Sequence, residues 1–459
     1  MPQAPLFWKA MVIALLGIVL LVPLMMVQGL IAERAGLKEG VVRGVAQSAA
    51  DVQRITLPVI VVPYTRTWIE STERSDEHGA SKTTRTERSE TATLAFLPEA
   101  LAVSARPAID HKYRGLYRVL TYAAPLKISG KFALPAYAAQ APAPAAGRIV
   151  WGVPTLALGI SDPRGIRNSP RLTWNDAQLP FEPGASERSR LGNGIAARLE
   201  TVDGRAPLVA EFSLTLELNG MERLSFIPTG RETSVDLAAP WGHPSFFGKF
   251  SPIAQINPGD FSAQWKTSFY STNAREAYAE CVAGGKCARF EANEFGVAFI
   301  TPFDLYQQLE RAAKYGLLFV GLTFGTFFMF EVLGARAVHP VQYGLVGLAL
   351  ALFFVLLVAF SEHIGFSPAY GLAAGACIAL IVAYTSMALA SRWRAAGLGA
   401  GLAALYGVLY LLLRSEDYAL LMGSVFLFVL LAALMLGTRR LDWYAPARGF
   451  GKSRPVPGP

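Results

Sequence analysis

The stretch AMVIALLGIVLLVPLMMVQGLIA, residues 10–32, contains no charged side chain and decides what kind of protein this is. At about 1.5 Å of helical rise per residue it reaches about 35 Å, enough to cross a hydrocarbon core of about 30 Å with some tilt. It is about twice as long as the core of a cleavable signal peptide, and no Ala-x-Ala cleavage signal follows, so it is expected to stay as an anchor.

Outward from it, five further apolar runs follow Lys314, at 315–333, 341–360, 367–390, 395–413 and 418–436. Connections of only a few residues force neighbouring helices to run antiparallel. Of the 459 residues 52% are hydrophobic and 17% charged, too apolar for an ordinary soluble enzyme unless concentrated in spans, as here. The expected fold is a membrane α-helical bundle of six transmembrane helices plus an all-β, sandwich-like exported domain.

The net charge of +8 divides unevenly: residues 32–312 contribute +2 and the remainder +6. Lys9, Arg336, Arg392, Arg394, Arg439, Arg440, Arg448, Lys452 and Arg454 fall on one side of the membrane, while the short opposite loops contain only Arg414. Retention of basic flanks on the cytoplasmic side explains this excess without any nucleic-acid partner. Both termini are therefore expected in the cytoplasm of a Gram-negative-type cell, in its inner membrane. Residues 1–32 form the N-terminus and first helix, 33–312 the periplasmic β-rich domain, 313–437 a five-helix bundle and 438–459 a basic cytoplasmic tail.

Spans three to six carry no Asp, Glu, Lys, Arg or His within their apolar runs, whereas proton relays and ion sites need such groups. Glu331, near the cytoplasmic end of the second span, reads as an interfacial carboxylate beside Arg336 rather than a transport residue. Cys377, mid-span, reads as a small packing residue. The pairs Gly321/Gly325, Gly371/Gly375 and Gly397/Gly401 let helix backbones approach closely, for packing within one bundle or for a homo-oligomer.

In the 33–312 region the hydrophobic period becomes two. Phe212, Leu214, Leu216 and Leu218 alternate with polar residues, and Asn219-Gly220 followed by Leu224 and Phe226 predicts a hairpin. Leu126, Ile128, Phe132 and Leu134 form a similar row, with Gly130 read as a bulge. Further strands are expected at 93–97, 149–160, 233–237, 261–269 and 295–300, and helical periodicity at 34–50 and 303–313. Ser71–Glu90 reads as a mobile loop or a hairpin tip, and Pro135–Gly147 as an irregular connection.

The residues offer no recognisable catalytic constellation, and no cofactor is expected. His78, His111, His243, His339 and His363 lack metal-ligand spacing, and no nucleophile elbow or dinucleotide turn occurs. Gly451-Lys452-Ser453 lacks the upstream glycine of a phosphate loop. Cys281 and Cys287 are read as a disulfide closed through Gly284-Gly285, with two free thiols on a loop as the alternative. Trp241, His243, Pro244 and Phe246 belong to an aromatic run that serves either as a binding ridge or as a buried corner between sheets. Glu362 and His363 end the third span on the outer side. There they form either a charged hydrogen bond that docks the domain or senses acidity, or a plain polar helix end.

Segments along nearly the whole chain resemble the CreD family of inner-membrane proteins. They include Pro5-Leu6-Phe7-Trp8-Lys9, Leu97-Pro98-Glu99, Asp162-Pro163-Arg164-Gly165-Ile166, the Trp241–Phe250 run with Gln264-Trp265, and Thr301-Pro302. His339-Pro340-Val341-Gln342-Tyr343, Ser361-Glu362-His363 and Asp442-Trp443-Tyr444 complete the set. The resemblance implies a role in envelope integrity, stress response and colicin tolerance, with no catalytic mechanism to carry over. The expected partners are the lipid bilayer and an envelope protein or cell-wall component. A transporter or channel, or more remotely a membrane-embedded enzyme using Glu362 and His363, is the rival reading.

The nine-to-one asymmetry of basic residues makes the orientation testable. Export-dependent reporters fused after residue 200, 364 or 416 are expected to be active, and those after 338, 393 or 445 inactive; activity after 445 would reveal a miscounted span.

Overall fold

The computed structural model describes residues 4–75, 81–139, 147–185, 189–300, 304–332, 339–388, 392–414 and 419–438. The chain divides into two compact units, one of Met1–Glu39 with Phe303–Pro459 and one of Gly40–Pro302.

The first unit is helical. Helices Ala4–Val19 and Leu21–Ser48 meet at Leu20, because Pro23 has no N–H for the Val19 carbonyl and its ring crowds that turn. Among the described residues four helices are long and apolar enough to cross a membrane: Met11–Ser48, taken across that turn, Pro340–Ile364, Phe366–Met387 and Ala395–Arg414. Gly316–Val332 and Ala419–Thr438 are further apolar helices. Pro340–Ile364 starts sharply because His339 accepts from Val341 N while the Gln342 side chain reaches back to the His339 N–H, with Pro340 in the first turn. Leu305–Lys314 is amphipathic, burying Tyr306, Leu309, Ala312 and Ala313 and exposing Glu310 and Lys314.

Aromatic side chains fill the helical interior: the Tyr406 ring lies 4.7 Å from Phe353 and 4.9 Å from Phe319. The Tyr370 hydroxyl donates to the Tyr406 carbonyl at 2.7 Å, and the Tyr406 hydroxyl donates to Cys377 Sγ at 3.3 Å. Cys377 is thus a hydrogen-bonding member of the core as well as a filler. Among the described residues the small-residue pairs do not mediate close packing within the bundle, the first of their two expected uses. A β-carbon at Gly321, Gly325, Gly371, Gly375, Gly397 or Gly401 would meet nothing within 4 Å. Close helix contacts fall at Gly316, Gly347 and Gly399 instead, where a β-carbon would lie 2.8 Å from Leu24 Cδ2, 2.9 Å from Phe324 Cζ and 2.6 Å from Val382 Cγ2. The Glu331 side chain and Arg336 fall outside the described residues.

Among the described residues the second unit is built on two nine-stranded sheets. One runs Glu182–Pro183, Gly194–Arg198, Thr155–Ile160, Gln53–Ser75, Arg223–Ile227, Phe295–Phe299, Pro244–Gly248, with Ser81–Phe96 and Arg148–Trp151 also on the long Gln53–Ser75 strand. The other runs Ile253–Ile256, Phe261–Ser268, Glu232–Ala239, Ala100–Ala105, Tyr117–Leu134, Leu208–Met221, Arg171–Trp174, Ala177–Pro180, with Ala108–Arg114 beside Tyr117–Leu134. Ile55, Leu57, Leu156 and Leu158 from the first meet Leu126, Ile128, Leu214 and Leu216 from the second in one core. Full burial of each such side chain is worth about 1.5–3 kcal/mol. The alternation read in the sequence is the inward face of this sandwich.

Two local expectations fail. Asn219-Gly220 is no hairpin turn: the Leu208–Met221 strand pairs straight through it, Gly220 opposite Tyr122 and Met221 opposite Thr121. The chain turns at Glu222, φ 55°, and the next strand enters the other sheet parallel to Gln53–Thr56. Gly220 is needed for close approach, since a β-carbon there would sit 2.6 Å from Tyr122 Cζ and 2.7 Å from Gln53 Cγ. Gly130 is likewise in regular register with Phe212 and Leu101, its missing side chain leaving room for the Phe212 ring.

The 71–90 segment is an extended hairpin. Residues 60–75 pair with 81–96 in unbroken register, while 76–80 lie outside the described residues. Residues 140–146 of the expected Pro135–Gly147 connection also lie outside, after a short 3-10 turn at Tyr137–Ala139.

Substitutions separate close packing from turn formation. Leu216→Ala, with its side chain wholly buried, is expected to cost about 2–5 kcal/mol. Gly220→Ala is expected to cost about 1–3 kcal/mol by overpacking, and Asn219→Ala less than about 0.5 kcal/mol. Pulse proteolysis of the full chain measures all three, and a large Asn219 effect would restore the hairpin turn.

Candidate functional site

The aromatic run occupies the crossing from Glu232–Ala239 in one sheet to Pro244–Gly248 in the other. Trp241 Nε1 donates to the carbonyls of His243 at 3.1 Å and Ile300 at 3.2 Å. Phe246 stands edge-on to Phe261 and Trp265, at 5.7 and 5.6 Å, while Trp265 Nε1 donates to the Phe250 carbonyl. Pro244 starts the edge strand opposite Phe299, and His243 is exposed at the corner. Trp241 and Phe246 therefore pack against the core and hold the two sheets together at this corner.

His111 lies 6.2 Å from Trp241, ring to ring, with Nε2 2.7 Å from Arg118 Nη2. A guanidinium only donates, so that nitrogen accepts. Burial and the Arg118 charge hold the imidazole below its ordinary range, against the opposing pull of Asp110.

Glu362 and His363 are adjacent in sequence but do not pair. Successive residues on a helix point about 100° apart, and each finds another partner. The Tyr306 hydroxyl donates to Glu362 Oε1 at 3.1 Å, and Arg34 Nη1 lies 3.7 Å from Oε2. The His363 Nδ1–H donates to the Ala359 carbonyl of its own helix at 3.1 Å. Lys38 pairs with Asp304 at 2.9 Å, its ammonium 6.0 Å from the Tyr306 ring centre. Glu362 is thus the mostly buried centre of a cluster within the helical unit. Sequence reasoning missed Arg34 and Tyr306, although Arg34 and Lys38 stand four residues apart on one helix face.

Cys281 and Cys287 are joined by a disulfide, with their Cα atoms 4.3 Å apart. Gly285 ends the Ala274–Gly284 helix with φ 68°, the left-handed conformation that glycine allows, and so brings Cys287 back to Cys281.

The Asp162-Pro163-Arg164-Gly165 motif acquires a physical role. Arg164 Nε and Nη2 grip Asp162 at 2.9 and 2.7 Å, while Nη1 and Nη2 also donate to the carbonyls of Gln47 and Ala46 at 2.6 and 3.2 Å. These carbonyls belong to the last turn of the Leu21–Ser48 helix, which has no intrahelical donors for them. Asp162 Oδ2 accepts from the Asp51 N–H at 3.0 Å. Gln53 Nε2 donates to the Asp162 and Asn219 carbonyls, at 3.0 and 2.9 Å. Gly165 must be glycine here, because a β-carbon would lie 2.5 Å from Gln53 Nε2. The hydrogen bond from Arg164, chiefly, holds the Asp162 carboxyl below its ordinary range against the opposing effect of burial.

A second feature is the ribbon formed where residues 68–75 pair with 81–88 beyond the strand Arg148–Trp151, which reaches only Tyr64–Thr67. Eight residue pairs at about 3.3 Å give it a length of about 25 Å. Arg66 pairs with Glu90 and Arg88 with Glu70 across the strands, and residues 83–91 are exposed. Among the described residues no group of three or more His, Cys, Asp or Glu is arranged to hold a metal ion.

Residues 5–444 match the family model described as Inner membrane protein CreD. The chain is 33% identical over 446 residues to the inner membrane protein CreD of Escherichia coli (strain K12), covering 97% of this chain and 95% of that relative.

The clamp has a definite pH signature. Asp162 titrates lower in the folded chain than in the unfolded one. The unfolded state therefore binds more protons just below the ordinary carboxylate range, and the stabilisation, complete above about pH 4, is lost as pH falls through the folded value. Asp162→Asn is expected to lower the melting temperature by on the order of 5 °C at pH 7, with the gap between the two proteins closing as pH falls through the folded carboxyl's titration. An undiminished gap at low pH would refute the carboxylate's part.

Proposed function

The chain belongs to the CreD family of inner membrane proteins, and from that premise we propose that it is a non-catalytic protein supporting cell envelope integrity and tolerance of envelope stress and bacteriocins. Six helices anchor it with both termini in the cytoplasm, and residues 33–312 face the periplasm, where they contact another envelope component. The charge-asymmetric loops support this orientation.

The observation that carries the reading is the ribbon. It exposes two strand edges and a charged surface, and among its described side chains only Trp68 is half-buried, so it adds reach rather than core. The Tyr370, Tyr406 and Cys377 groups inside the helical unit are neutral and bonded to one another, which favours anchoring over ion coupling.

Replacing residues 68–88 with Asn-Gly closes the hairpin between Thr67 and Ser89, which are already paired. The shortened protein is expected to accumulate normally but to fail to restore detergent and bacteriocin tolerance to a deletion strain. Full restoration would remove the ribbon from the function, and a deletion strain with normal tolerance would remove the function itself.

A further inference from the structure

A cavity of about 260 Å³ opens in the β-rich unit beside the Leu97-Pro98-Glu99 motif. Its apolar wall is Phe96, Leu97, Pro98 and Phe269, with Ala133 and Ala274 at the sides. Its charged groups are Glu99, Arg231 and Arg275.

The wall is fixed by backbone hydrogen bonds. Arg231 N donates to the Pro98 carbonyl at 2.8 Å, Glu232 N to the Glu99 carbonyl at 3.1 Å, and Phe269 N to the Arg231 carbonyl at 2.7 Å. Three chain segments distant in sequence thus meet at one preformed concavity, the usual form of a small-molecule site. Tyr270 stands beside the lining Phe269, ring centres 5.9 Å apart, and is 91% exposed.

The charges do not cancel. Arg231 Nη1 lies 3.4 Å from Glu99 Oε2, a single exposed contact. Arg275 has no hydrogen bond or ion pair among the described residues, although it lines the same cavity. A guanidinium left over beside an apolar wall suits a planar anion that it can grip through two N–H groups. The volume lies just below the usual range for ligand pockets, which limits the occupant to a small molecule or one terminal residue.

We infer that this cavity binds a carboxylate carried on a short apolar body, with Arg275 gripping the carboxylate and Phe96, Pro98 and Phe269 covering the body. Two sources share that chemistry: a free short-chain acid and the C-terminal residue of a peptide. The inference concerns binding in the β-rich unit and does not depend on the ribbon.

The test uses the full chain in zwitterionic nanodiscs and saturation-transfer NMR with three probes: hexanoate, N-acetyl-alanyl-alanine and the C-terminal amide of that dipeptide. At least one acid is expected to bind below about 10 mM, and the amide at least roughly tenfold more weakly. Arg275→Gln is expected to weaken the acid by a similar factor, Arg275→Lys to recover part of it, and Ala133→Phe to block the cavity. Preference for the dipeptide acid identifies a peptide end as the source, and preference for hexanoate a free acid. Failure of both acids to bind, equal binding of the amide, or binding unchanged in Arg275→Gln and Ala133→Phe overturns the proposal. Arg275 and Ala133 are exposed, so both variants are expected to fold, which an unaltered melting profile checks.

Discussion

The guanidinium of Arg164 resolves the constraint on which the β-rich unit depends. A helix that ends against a sandwich brings carbonyls with no intrahelical donors, and leaving them unmet is costly. Arg164 meets two of them, at Ala46 and Gln47, and is itself held by Asp162. Because Asp162 also takes the Asp51 N–H, the same side chains direct the chain from the helix into its first strand. Gln53, the first residue of that strand, reaches the Asn219 carbonyl of the opposite sheet. Helix end, first strand and facing sheet are thus tied through one short motif. The Gly220 and Gly165 close approaches follow from the crowding around Gln53.

What was legible in the sequence had a period or a length. The apolar runs and the alternation of Phe212, Leu214, Leu216 and Leu218 are statistical consequences of burial, and both appear as helices and inward strand faces. The glycines were misread because the same residue serves turns, bulges and close approaches, and only the neighbours decide between them. Gly220 faces Tyr122 and Gly130 faces Phe212, contacts some 90 residues away in sequence that no local pattern reveals. The three small-residue pairs had the right spacing, but among the described residues no atom approaches within 4 Å of a β-carbon placed there.

The candidate site was legible only as residues, not as partnerships. Ser361-Glu362-His363 marks a polar helix end, but helical geometry separates the two ionisable neighbours, and Glu362 instead faces Arg34 and Tyr306. The Trp241 run was visible as aromatic mass, and its position at a sheet crossing explains that mass, because a chain changing sheets leaves an open corner that large rings fill. Asp162-Pro163-Arg164-Gly165 was recognisable only by resemblance, since an arginine's reach to a carbonyl 117 residues away has no signal in composition or period.

The ribbon is the part whose existence stability does not explain. An isolated two-stranded hairpin is at best marginally stable in water, and fixing each residue's backbone costs about 1–2 kcal/mol of conformational entropy. Arg66–Glu90 and Glu70–Arg88 return little of this, because exposed ion pairs contribute at most about 1 kcal/mol each. Among the described side chains of the distal strands only Trp68 is even half-buried, too little apolar burial to offset the remainder. The long Gln53–Ser75 strand accounts for how the ribbon forms: its first half is a central strand paired on both sides, so register is set before the chain leaves the sheet. Register alone does not make a free ribbon worth keeping. The proposed contact with another envelope component would supply the missing burial or pair the open edges, and so give the ordered arm a thermodynamic reason to extend.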